Sequence, residues 1–168
     1  MSDEPPDEHV ISSTAEDDGI SIVRIFDAPR ERVFRAWIEP EAFGAWFGEH
    51  GSSVPLERLE MDVRPGGAWS AIMIHGPERV ELPFTGRYEE IAEPERLVMI
   101  FTNPVDPDDP DVELVTVEFV DLGDGRTQMT FSQRGHLPPD AYPEALRGWL
   151  IFFERQNDYL KARHDTDS

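Results

Sequence analysis

The sequence predicts an α+β domain: a curved antiparallel sheet of about seven strands wrapped around one long C-terminal helix. Three observations predict it. One strand is followed directly by two short helices. The middle of the chain then changes to a two-residue apolar period broken by tight-turn signals. Finally, Tyr142, Leu146, Trp149, Leu150, Phe153 and Leu160 keep a helical period to about residue 163.

The first strand is the aliphatic run 20–26, closed by Asp27, Ala28 and Pro29. Val33, Phe34, Trp37 and Ile38 share a helical face over 30–38, with Pro29 suited to its start and Pro40 ending it. A second helix over 40–47 puts Phe43, Trp46 and Phe47 on one side, and Gly48 ends it. Leu59, Met61 and Val63 alternate with charged residues in a strand running to Arg64. Arg64, Pro65, Gly66 and Gly67 make a tight turn, because proline presets one φ and glycine supplies a positive one. Strands are predicted over 68–75, 84–91, 97–102, 112–120 and 126–134, the last two joined by Gly123-Asp124-Gly125. Residues 103–111 form a Pro/Asp loop. One amphipathic helix cannot cover both faces of such a sheet. A curved sheet around that helix solves the problem and leaves room for an apolar gap.

The chain has 168 residues, 35 Asp+Glu against 15 Lys+Arg, a formal charge of -20 and no cysteine. Without cysteine there is no disulfide scaffold, thiol nucleophile or Cys-based metal site. The charge repels phosphates, so nucleic acid and anionic membrane surfaces are not expected partners. No apolar run reaches the length of about 20 residues that spans a bilayer, so membrane insertion is not expected. The acidic start, Met1 to Pro6, lacks the apolar core of a secretory signal, and a cytoplasmic location is expected. Residues 1–18 are acidic, hold no Lys or Arg and include Pro5 and Pro6, so disorder is expected there. The domain is expected over 19–163, with residues 164–168 disordered. Arg155, Lys161, Arg163 and His164 lie toward the C-terminal, negative end of the last helix.

Four segments then carry a resemblance. They are residues 28–37 with Pro40, Trp46, Phe47 and Gly48; residues 62–69; residues 84–91 with 94–97; and residues 125–127 with Gly148 and Trp149. Over about residues 20–160 the chain resembles the START-like (SRPBCC) superfamily, and within it the homologues of the activator of heat-shock protein 90 ATPase. The resemblance implies a helix-grip fold with an apolar cavity between sheet and helix. It implies no shared catalytic residue and no cofactor, and it leaves function open among carriers, receptors, cyclases and co-chaperone-like modules.

Strand alternation nominates the cavity-facing side chains: Trp69, Met73 and His75; Phe84 and Tyr88; Met99 and Phe101; Phe119; Met129 and Phe131. Trp46, Trp149 and Phe153 join them from the helices. These form the candidate ligand-binding set, and a minority of them are expected to touch a ligand, the rest being core. His75 is the polar candidate for a hydrogen bond or acid–base role. Tyr88 and Gln133 pair a polar tip with apolar neighbours. Arg64 and Arg87 face away and are expected to pair with carboxylates. Asp106, Asp108, Asp109 and Asp111 lack the glycine and glutamate of a calcium loop, with Val117 at the last ligand position. The five histidines show no metal-ligand spacing, and no P-loop, dinucleotide or nucleophile-elbow motif occurs.

The resemblance, together with the large apolar residues on facing elements, implies binding of a small lipophilic or aromatic molecule, and a monomer or weak dimer is expected. Two alternatives stay open: a co-chaperone-like module acting on a protein partner, and a cyclase- or hydrolase-like enzyme using the same cavity.

Overall fold

The computed structural model describes residues 9–106 and 108–167, with side chains to residue 162 in the last helix. Strands β1 (Val10–Glu16) and β2 (Gly19–Phe26) precede helices α1 (Arg30–Ile38) and α2 (Pro40–Trp46). A two-residue strand β3 (Ser52–Ser53), a 3-10 turn (Leu56–Arg58) and β4 (Leu59–Met61) follow. Then come β5 (Ala68–His75), β6 (Val80–Ala92), β7 (Arg96–Thr102), β8 (Glu113–Gly123), β9 (Arg126–Arg134) and helix α3 (Ala141–Asp167).

All nine strands belong to one antiparallel sheet, ordered β1-β2-β9-β8-β7-β6-β5-β3, with β4 also pairing β5. The early strand β2 pairs with the late strand β9, Phe26 opposite Thr127. The sheet curls over α3, whose Trp149, Phe153 and Leu160 are buried against it and against the early helices. This is the helix-grip arrangement. At its centre Trp37 of α1 meets Trp46, Trp149 and Phe153 at ring separations of 4.8, 6.1 and 6.0 Å. Burying such rings is the dominant favourable term of the fold.

Four differences from the sequence reading have physical reasons. The expected disordered segment 1–18 contributes β1, which is an edge strand with all but Val10 exposed. It therefore shows no apolar alternation. Its ladder to β2 and the contacts of Arg134 with Glu16 and Asp18, at 3.4 and 3.3 Å, hold it without a buried face. Residues 1–8 lie outside the described residues. Helix α3 runs on to Asp167 rather than ending at 163, because nothing between Lys161 and Asp167 is a glycine or proline that would stop it. Strand β4 stops at Met61, since Asp62 already donates to Ala68 O and the turn begins. Strand β6 begins at Val80, before Pro83 rather than after it. Residues 80–84 pair with β5 alone, so the missing N–H of Pro83 faces an open edge and costs no ladder bond.

Candidate functional site

A cavity of about 380 Å³ opens between the end of α2, strands β6 to β9 and helix α3. Its aromatic walls are Phe47, Phe84, Phe101, Trp149 and Phe152. Phe47 lies 5.1 Å from Phe84 and 5.3 Å from Phe152, and Trp149 lies 6.0 Å from Phe101. Leu137, Ala145 and Gly148 complete the apolar lining, and Glu49, Glu113, Gln133 and Glu144 supply the polar groups.

Each wall is held by a local device. Phe47 caps α2, its N–H donating to Phe43 O at 2.9 Å. Gly48 then turns the chain at φ 131, a conformation side chains resist. From α3, Arg155 donates to the carbonyls of Ala45, Gly48, Glu49 and Ser52 at 3.2, 2.8, 3.0 and 3.4 Å. Partial burial pushes the Arg155 pKa down, and the acceptors compensate that desolvation with hydrogen bonds. Gly148 sits inside the N-terminal part of α3, where a Cβ would meet only Glu49 and Phe152 at 4.0 Å. The missing side chain is therefore open space in the cavity.

The polar side is a connected network. Trp149 Nε1 donates to Gln133 Oε1 at 2.8 Å, and Gln133 Nε2 donates to Glu113 Oε1 at 2.9 Å. The Tyr142 hydroxyl donates to the same carboxylate oxygen at 2.8 Å and accepts from Leu137 N–H at 3.2 Å. Glu113 Oε2 accepts the His136 N–H at 2.7 Å. Burial, followed by the hydrogen bond to Glu113, raises the Tyr142 pKa, so its hydroxyl stays a donor.

Of the candidate residues, Phe84, Phe101 and Trp149 line this cavity. Trp46, Met73, Met99, Phe119, Met129, Phe131 and Phe153 are buried in the core behind it. Trp69 packs on Phe101 at 4.8 Å and borders a hollow at β5–β6 with Ser70, Thr85 and Arg87. Tyr88 is buried, its hydroxyl has no hydrogen-bond partner among the described residues, and burial, then the charge of Asp62, raises its pKa. His75 meets Ser52 Oγ at 2.6 Å across the β3–β5 pair, away from the cavity lining. Arg64 and Arg87 pair with Asp62 and Glu89, two residues along the chain rather than across strands. In the Asp-rich loop, side-chain oxygens of Asn103, Asp106 and Asp109 accept the N–H two residues on. They serve as turn caps there.

Sequence reasoning placed Phe47 on a helix face without nominating it for the site, and missed Phe152 and the carboxylates. Phe152 lies beside, not on, the apolar stripe of α3. Glu49 and Glu113 carry no site signal in the sequence, because only the fold brings β8 and the α2–β3 loop to one opening. A larger hollow of about 500 Å³ lies between α2 and Tyr159. Glu39, Glu41 and Pro40 border it and Tyr159 is its one aromatic group, so it lacks the walls for an apolar guest.

No curated protein matches the chain. A protein of Chromobacterium violaceum is 25% identical, with a TM-score of 0.72, over 85% of this chain and 96% of its own. A protein of Arthrobacter aurescens is 22% identical, with a TM-score of 0.76, over 91% and 92% of the two chains. The AHSA1 protein of Silicibacter pomeroyi is 18% identical, with a TM-score of 0.74, over 87% and 99%. The latter two likenesses carry the fold alone. Residues 27–161 match the family described as Activator of Hsp90 ATPase homolog 1-like protein, and the chain belongs to that family.

Proposed function

We propose that this protein binds a small lipophilic or aromatic molecule in the cavity between sheet and α3. The observation that supports the reading most is the set of five aromatic rings around a space that Gly148 leaves unfilled. A pocket of this kind buries an apolar guest and orients it with few polar groups, here Gln133 and Glu113. The protein acts as a monomer or weak dimer in the cytoplasm in this reading. No described helix is long and apolar enough to cross a membrane.

Native mass spectrometry of the purified protein, then solvent extraction, tests for a co-purifying lipophile. Titration with the neutral probe N-phenyl-1-naphthylamine tests the location. Saturable one-to-one fluorescence enhancement is expected, and Gly148→Leu, which fills the space, abolishes it. Binding that survives Gly148→Leu places the site elsewhere.

The family description favours a second reading, a module that modulates a protein ATPase. A charge of -20 would steer it to a basic partner surface. A low-salt pull-down without a stoichiometric partner counts against it. The enzyme reading has no such support, since His75 is engaged by Ser52 outside the cavity.

A further inference from the structure

The cavity has one more property, the sign of its mouth. Among the described residues its lining includes three carboxylates, Glu49, Glu113 and Glu144, and no Lys, Arg or His. They come from three separate elements: the loop after α2, the start of β8 and the first turn of α3. Among the described residues Glu113 is hydrogen-bonded only by neutral donors, namely Gln133, Tyr142 and the His136 N–H. Those bonds orient the carboxylate without cancelling its charge. The Glu49 carboxylate stands over Gly148 with no ion-pair partner among the described residues. Glu144 forms an exposed pair with Arg147, which offsets its charge, so Glu49 and Glu113 carry the negative sign of the mouth. Arg155 keeps its charge while bound to backbone carbonyls beside Glu49, so the three carboxylates outnumber the two nearby guanidinium groups, Arg147 and Arg155.

We infer that the cavity selects a cationic guest, a small lipophilic amine whose apolar body lies among the rings and whose ammonium sits at the mouth beside Glu49 and Glu113. This rests on the cavity reading proposed above and narrows it. Aromatic faces attract a cation that has left water. An anionic head group, carboxylate or phosphate, would meet like charge at the mouth and in the whole field of a -20 protein. A neutral head group gains nothing from these carboxylates beyond a hydrogen bond.

Three matched probes test this by calorimetry at low salt: 2-naphthylmethylammonium, 2-naphthylmethanol and 2-naphthoate. The amine is expected to bind about tenfold tighter than the alcohol, and the carboxylate weakest. Glu49→Gln should lower the amine-to-alcohol affinity ratio several-fold, and Glu49→Gln with Glu144→Gln should lower it further. Glu31→Gln with Glu57→Gln removes the same charge outside the cavity and should change that ratio far less. An alcohol that binds as tightly as the amine, or a ratio that the mouth variants leave intact, overturns the charge selection while the cavity reading stands. A protein that binds none of the three overturns both.

Discussion

Trp149 on α3 and Gln133 on β9 join helix to sheet through one hydrogen bond, indole N–H to amide oxygen at 2.8 Å. Both groups are buried, and the other end of Gln133 is held by Glu113. The bond therefore fixes the ring plane that forms one wall of the cavity. Gln133→Leu leaves the indole N–H without its acceptor, at a cost of about 1–3 kcal/mol. Urea unfolding measures that loss. Trp149→Phe with Gln133→Leu should cost less than the sum of the two single changes, because the second removes an orphan the first created.

Gly148→Ala is expected to raise stability while weakening binding. A glycine inside a helix costs about 0.5–1 kcal/mol relative to alanine, and here the new methyl meets nothing closer than 4.0 Å. The same methyl occupies guest space. A higher midpoint of unfolding together with weaker probe binding is the expected pair of results. Lower stability would mean that the helix cannot take a side chain at this point.

Stability should fall in alkali through Tyr88 and Tyr142, whose pKa values are both raised in the fold. The unfolded chain loses these protons near pH 10, while the folded protein keeps them to higher pH. Above about pH 10 the unfolded state binds fewer protons, so its relative free energy falls. The contribution is complete below that pH and is lost as pH rises toward the folded values. Melting temperatures from pH 8 to 11 test this, with Tyr88→Phe flattening the decline. At pH 7 the two phenylalanine variants should differ in sign. Tyr88→Phe removes a buried hydroxyl with no partner among the described residues, which is neutral or stabilising by up to about 1 kcal/mol. Tyr142→Phe strips Glu113 and Leu137 of a partner and costs about 1–2 kcal/mol.

Arg155→Lys should loosen the loop after α2. A lysine keeps the charge but cannot fork to carbonyls of Ala45, Gly48, Glu49 and Ser52 at once. Faster amide exchange over residues 47–53 is expected, with weaker binding of any guest that touches Phe47. Unchanged exchange there would show that the loop holds itself.

The strands, helices and their order were legible wherever one face is buried, because burial writes a period into the sequence. Strand β1 was illegible for the converse reason: its ladder uses backbone groups that every residue has. The candidate cavity was legible in part. Phe84, Phe101 and Trp149 stand on the expected faces, yet so do Met99, Phe119 and Phe131, and alternation gives the face without the depth. Which inward ring meets empty space depends on gaps such as Gly148, where the signal is a missing atom. His75 lay on a strand end as expected, but its neighbour Ser52 comes from a two-residue strand with no pattern of its own.

Phe84 stands on the stretch of β6 that has β5 for a neighbour and no β7 beside it. The opposite wall, α3, is tied to the α2 loop by the Arg155 guanidinium. The two sides of the cavity thus differ in stiffness. A guest pressing on Phe84 bends a stretch of β6 supported from one side only, by β5 with β4 behind it, whereas one pressing on Trp149 must strain a helix anchored at its far side. Under the proposed binding function, guests of different girth would be taken up on the open-edge side of β6, so the span between Phe84 and α3 would be set by mechanical compliance and not by a fixed radius.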